Sequence, residues 1–418
     1  EIQNSKVEPI EPVFVDYKKD MSQFEAQKGV NVLYKKNETN DIFTLIYVFN
    51  TGTENDPALN LAFDYLSYLG TDKMSAEQIA SEMYAIACSF GLSAGTNQSW
   101  IEISGLSENM GKAMEIVEGL IAGAQPNEEI LQNLKGDMIK SRADAKLNQS
   151  RCFGALQRYM IYGSDFIRRT TLTDPALQGL TSEQLLAKIG DLMGKQHEVL
   201  YYGPQDEAEV KAALAAHHKV AADLQPLEKK FSTLQPTDEN KVMLAQYDAK
   251  QLYYLQYANL GKQFDVAADP EITLYNEYFG GGMNSVVFQE MREARGLAYS
   301  ASAYIMQPNY ADTKYGYMAF IATQNDKMQM AIEAFDEIIN NMPESEKAFD
   351  IAKEALISRL RTERTVKDGV LWSYIRMRDL GLTEPRGKQI FEKAQQMTLA
   401  DVKAAQEKWV KGRKYVYG

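Results

Sequence analysis

The chain reads as one unit of about 200 residues used twice, and that repeat limits the folds open to it. Trp100-Ile101-Glu102-Ile103 alternates in polarity as a strand does, and so does Tyr315-Gly316-Tyr317-Met318-Ala319-Phe320. Each is followed by a polar break and an amphipathic helix. The apolar face is Ala113, Ile116, Val117, Leu120 and Ile121 in the first copy, and Ala331, Phe335, Ile338 and Ile339 in the second. Both copies then open another helix with proline and acids, Pro126-Asn127-Glu128-Glu129 against Pro343-Glu344-Ser345-Glu346. Leu200-Tyr201-Tyr202-Gly203 later matches Tyr415-Val416-Tyr417-Gly418, and the matched points lie 215 to 218 residues apart throughout.

Each copy is thus strand-rich at its start, helical in its middle and closed by a strand, which is an α+β pattern. The expected layout is an extended arm over 1–25 and a first repeat over 26–205. A connector over 206–239 and a second repeat over 240–418 follow. A chain of 418 residues exceeds what one hydrophobic core usually serves, in keeping with two units. Its start at Glu1 points to processing or to a segment of a longer protein, with the cell envelope as the expected location. The closing strand, ending at Gly418, is expected to lack a pairing partner, as in a truncated chain.

The net charge of −12 argues against a nucleic-acid surface, which needs a basic footprint. No apolar run is long enough to predict a membrane span. Cys88 and Cys152 cannot build a disulfide framework. Cys88, in an apolar helical pattern, reads as a buried thiol, and one bridge stays open.

The densest motif is GGGMNSVVFQEMREARGLAYS over 280–300. Gly280, Gly281 and Gly282 end a tyrosine-rich helical run and open a second helix. Glycines there permit a close backbone approach to a partner, or serve a tight packed turn. Arg292 stands seven residues before Tyr299 in the Gly-Leu-Ala-Tyr turn. Arg295 is the rival arginine, and either arginine has Glu290 and Glu293 at hand as ion-pair partners.

The segment resembles the second-half signature G-G-G-M-x-S-x-x-F-x-E-x-R-x-x-x-G-L-A-Y of the insulinase/pitrilysin-type zinc metallopeptidases. That resemblance implies two α+β repeats, each a mostly antiparallel sheet with helices packed on one face. It also implies that Arg292 and Tyr299 reach into an active site whose zinc is held by another half. The family's zinc motif is H-x-x-E-H on a helix, with histidines on one face and the glutamate polarising water. Counting back from Gly70-Thr71 puts Leu61, Asp64 and Tyr65 at those positions. The later ligand helix reads Asp-Met-Ile-Lys140-Ser141, without the expected glutamate.

The chain has three histidines, His197, His217 and His218, and they read as surface residues rather than as a metal site. No serine or cysteine has a histidine base beside it in sequence, and GGGMNS lacks the ending of a phosphate loop. The expectation is therefore no metal in this chain, with zinc in an H-x-x-E-H half on the same or a separate polypeptide. Peptides are the implied substrates, and a catalytically dead peptide-binding or assembly scaffold is the alternative. A peptide could add as a strand to a sheet edge.

Overall fold

The computed structural model describes residues 10–418. From residue 10 the chain has no regular structure, sets Phe14 against the core of the second repeat, turns over residues 17–20 and enters a strand at Ser22. Residues 1–9 lie outside the described residues. In chain order the first repeat comprises β1 (Ser22–Gln27), β2 (Val30–Lys36), β3 (Ile42–Phe49), α1 (Leu59–Ser67), α2 (Ala76–Ala85), β4 (Cys88–Ala94) and β5 (Ser99–Leu106). It continues with α3 (Met110–Gly123), α4 (Glu128–Ala145), α5 (Gln149–Thr170), α6 (Asp174–Gly179), α7 (Ser182–Met193), β6 (His197–Gly203) and α8 (Glu207–His217). The second comprises β7 (Lys241–Val242), β8 (Gln251–Gln263), α9 (Asp269–Phe279), α10 (Val286–Phe288), β9 (Ser300–Met306), β10 (Lys314–Gln324) and α11 (Met328–Asn340). After these come α12 (Glu346–Thr362), α13 (Gly369–Asp379), α14 (Arg386–Ala394), α15 (Leu399–Ala405) and β11 (Val416–Tyr417).

The sheets show the repeat directly. Their strand orders are β1-β2-β6-β3-β5-β4 and β7-β11-β8-β10-β9, the same order once β1 is set aside. Each sheet has one parallel pair, β2 with β6 and β7 with β11, and is otherwise antiparallel. The closing strand does not lack partners. β11 lies between β7 and β8, and Gly418 exchanges both backbone bonds with Leu255, at 2.8 and 2.9 Å.

Matching polar contacts fix matching helices. Tyr65 Oη accepts from Asn127 N at 2.8 Å, at the start of α4; Tyr278 Oη accepts from Ser345 N at 3.1 Å, at the start of α12. Asn127 and Ser345 are the N-caps of these helices, so the prolines Pro126 and Pro343 precede the caps. Lys135 donates to the carbonyls of Gln178 and Leu180 at 3.0 and 2.6 Å. Lys353, 218 residues on, donates to those of Gln395 and Met397 at 2.8 and 2.9 Å. A buried ammonium is tolerable when its protons meet carbonyl oxygens, and here they tie helix ends that would otherwise leave carbonyls unpaired.

Most helices pack on one face of each sheet and enclose the two main cores. The opposite faces are covered by exchange. Val370, Leu371 and Ile375 of α13 pack on Leu33, Ile46, Val48 and Leu200 of the first sheet. Met160 and Ile161 of α5 pack on Leu255, Tyr257 and Val416 of the second. Each repeat thus lends the other one helix. α5 breaks at Gly163, whose φ is +78° and where a Cβ would meet the Gln235 side chain at 2.5 Å.

Cys88 is buried as expected, but at the head of β4 rather than in a helix, because the chain reverses at Ala87 (φ +52°). Both cysteines are free. The histidine expectation fails for two of three: His197 and His218 are buried, the first opening β6 and the second capping the end of α8.

Candidate functional site

The GGGMNS…GLAY segment forms a turn and a short helix on the rim of the second sheet. α9 ends at Gly280, where a Cβ would stand 1.8 Å from the Ala303 carbonyl oxygen of β9. A Cβ on Gly281 would stand 2.8 Å from Glu277 Cα, whereas one on Gly282 would meet open space. The first two glycines are therefore required by close packing, while all three remain solvent-facing to different degrees. Ser285, buried, caps α10 by accepting from Phe288 N at 3.3 Å. The helix runs on as a widened π turn over Gln289–Ala294, a form often found at functional sites.

Gly296, at φ +56°, closes that turn, with Leu297 N donating to Met291 O at 2.8 Å. Thr323 and Lys327 then hold the Leu297 and Gly296 carbonyls at 2.5 and 3.0 Å. Tyr299 follows on this anchored base with its side chain 82% exposed. The Arg292 guanidinium lies 5.0 Å from the Phe288 ring and 5.9 Å from the Tyr299 ring, within cation–π range of both. Its nearest carboxylate, Glu293, is 3.8 Å away.

Arg295 is placed differently. It bonds Glu337 at 2.9 Å and Glu290 at 3.3 Å, and these bonds, Glu337 first, hold its pKa above the ordinary value. Its fork is committed to the protein, whereas Arg292 has only the longer Glu293 contact at 3.8 Å.

Of the three residues counted onto the zinc motif, two lie in the core. Leu61 and Tyr65 of α1 are buried, and the Tyr65 hydroxyl donates to Ser182 Oγ at 2.8 Å. Asp64 is exposed and accepts from the Asn60 amide at 3.2 Å. Lys140 and Ser141 of α4 are exposed, where a further carboxylate ligand would be needed. An apolar side chain and a phenol packed in a core do not fit zinc. Among the described residues no group of three or more His, Cys, Asp or Glu is placed to hold a metal ion.

Sequence reasoning missed one polar cluster. His197 Nδ1 faces the Lys195 carbonyl at 2.8 Å, its Nε2 lies 2.8 Å from His218 Nε2, and His218 Nδ1 lies 2.5 Å from Glu118. The pairing spans residues 118 to 218, so no local spacing reveals it.

Comparison with known proteins shows what this architecture is similar to. A family profile described as the peptidase M16 inactive domain matches residues 193–356. The matched residues run from the end of the first repeat into α12 and include the glycine-rich segment. A protein of Rickettsia felis, named an uncharacterized zinc protease, is 24% identical over 311 residues, which are 71% of each chain. The solved peptidase M16 inactive domain from Pseudomonas fluorescens superposes with a TM-score of 0.75 at 19% identity, covering 95% of this chain and 96% of that one. The periplasmic protease PqqL from Escherichia coli gives 0.74 at 14% identity, covering 98% of this chain and 46% of PqqL. These likenesses establish the two-repeat α+β fold, and the profile likens residues 193–356 to a peptidase M16 inactive domain.

Proposed function

We propose that this chain is the non-catalytic half of a zinc endopeptidase, forming one wall of a peptide-holding chamber opposite an H-x-x-E-H half. Tyr299 and Arg292 then serve the partner's active site. Amide hydrolysis places negative charge on the former carbonyl oxygen, and a donor preorganised at that point contributes about 3 kcal/mol. A phenol hydroxyl supplies such a donor, and a guanidinium fork grips a peptide carbonyl. The observation that carries this reading is the exposed Tyr299 ring, set on an anchored turn with Arg292 beside it and the Gly280–Gly282 loop in the same segment. The match of this chain to about half of PqqL's length, a protease, supports the two-half arrangement.

The test is Tyr299→Phe in the chain assembled with a zinc-bearing half. Turnover of a fluorogenic peptide is expected to fall about 100-fold, with KM and assembly unchanged. Unchanged turnover in the intact assembly would favour a scaffold that has no chemical role.

A further inference from the structure

Three buried titratable side chains meet in the first repeat, and the proposed role of Tyr299 and Arg292 uses none of them. His197 opens β6, Glu118 lies on α3, and His218 caps the end of α8; each is at most 8% exposed. They form a row with the Lys195 carbonyl at one end and the Glu118 carboxylate at the other. His197 Nδ1 lies 2.8 Å from that carbonyl, the two Nε2 atoms lie 2.8 Å apart, and His218 Nδ1 lies 2.5 Å from Glu118.

The row has places for three protons and no more. A carbonyl only accepts, so His197 Nδ1 carries a proton and donates it to Lys195 O. The two Nε2 atoms bond only with one proton between them, which His218 donates to the lone pair of a neutral His197. His218 Nδ1 and the Glu118 carboxyl share the third. A fourth proton would sit on His197 Nε2 and face the N–H of His218, or neutralise Glu118 and leave a buried imidazolium without its counter-ion. Either way a buried polar group loses its partner, which is the costly case.

The neighbouring groups do not relieve this. From β3 the Tyr47 ring lies 4.2 Å from that of His218, and the Phe49 ring 4.7 Å from that of His197. Burial, and then Glu118, push the pKa of the Tyr47 hydroxyl well up, so it stays neutral. Lys195 turns its ammonium to Asp191 at 3.2 Å, Glu198 pairs with Arg378 of α13, and His217 lies against Gly111.

We propose that this row is an acid-operated latch, which clasps the end of α8 and the start of the connector to the first repeat and releases them when His197 takes up a proton. Apart from the latch, α8 is held by its two buried residues, Val210 and Leu214, and it packs on α3. The chain that continues from His218 carries Lys229 and Ser232, which fasten the connector to α13 and to Glu54. Release therefore loosens the link between the repeats at its first-repeat end.

Hydrogen exchange of the full chain, corrected for the intrinsic effect of pH, reads the opening of α8. His197 takes its proton near 6.5 when exposed and near 4 in the closed row, so exchange from α8 should rise about 50-fold from pH 7.5 to 4.5, with α12 in the second repeat unchanged. His197→Gln, which offers an acceptor and a donor but does not titrate, should hold the rise below about threefold. Nitrogen-15 histidine spectra of the unsubstituted chain give a second reading that needs no variant: the His197 ring should stay neutral across the range in which α8 loosens. Flat exchange from α8 over that range would overturn the proposal, and so would a His197 ring that titrates near 6.5 in the folded chain. An equal rise in folded His197→Gln, or α8 and α12 loosening together, would overturn it too, since the acid effect would then lie elsewhere or be general unfolding.

Discussion

Tyr65 occupies a position where the family motif has a zinc-binding histidine, and its hydroxyl instead secures the first turn of α4. Tyr65→Phe leaves the Asn127 N–H without its acceptor and should cost about 0.5–1.5 kcal/mol; Tyr278→Phe should do the same at Ser345. Urea titrations of both variants measure this, and a loss in only one would break the parallel between the repeats. His197 gives a second residue-scale prediction. Burial, and then the neighbouring His218, lowers its pKa from 6.5 to about 4. The fold thus holds it neutral while the unfolded chain protonates near 6.5. Its contribution is present above that pH and is lost as pH falls toward 4, amounting to about 3 kcal/mol in all. Carbon-13 histidine labelling should show the His197 ring still neutral at pH 5.5, and a His197 signal titrating near 6.5 would refute this. The surface reading of His197 was wrong, and for Tyr65 the sequence offered only a position in a motif. What decides each is a partner far along the chain, Asn127 and Ser182 for Tyr65, His218 for His197.

At the scale of elements, strand alternation and helix starts were readable because they depend on near neighbours. β5, β10, and the helices α3 and α11 lie where the pattern puts them. The covering of the back faces was not readable. Nothing local in Gly-Val-Leu-Trp-Ser-Tyr-Ile says that α13 will lie on the sheet of the other repeat, since its apolar residues would suit either core. Leu371, fully buried there, yields a sharp expectation. Leu371→Ala should cost about 2–4 kcal/mol, and hydrogen exchange should show β2, β3 and β6 of the first repeat loosening although the change lies in the second. Protection lost only in the second repeat would mean that the contact carries little energy. Lys135→Met tests a different kind of tie: it leaves the Gln178 and Leu180 carbonyls without their buried donor and should loosen α6 from α4 by about 1–3 kcal/mol.

For the whole molecule, the exchange of α5 and α13 determines how the repeats cooperate. Two units joined only by a connector would melt independently, and chains with several domains commonly do. Here the connector is itself fastened to both. The buried Glu54 carboxylate takes Arg169 of α5 at 2.8 Å and Ser232 of the connector at 2.7 Å. Lys229 of the connector bonds Asp379 of α13 at 2.8 Å, and Gln235 N donates to Ile161 O at 2.7 Å. Removing either repeat would strip a helix from the other's sheet and expose Leu33, Ile46 and Val48, or Leu255 and Tyr257, to water. Calorimetry should therefore show one transition, with the calorimetric and van't Hoff enthalpies nearly equal. Cutting the backbone in the exposed 243–250 loop, which leaves both exchanged helices intact, should give two fragments that elute together and separate only in denaturant. Separation of the fragments under native conditions, or two resolved transitions in the intact chain, would mean that the exchanged helices are decoration on two independent units. If the chain walls a chamber against a partner half, as proposed, that wall must behave as one rigid body, because Tyr299 holds its position only as firmly as the sheet beneath it.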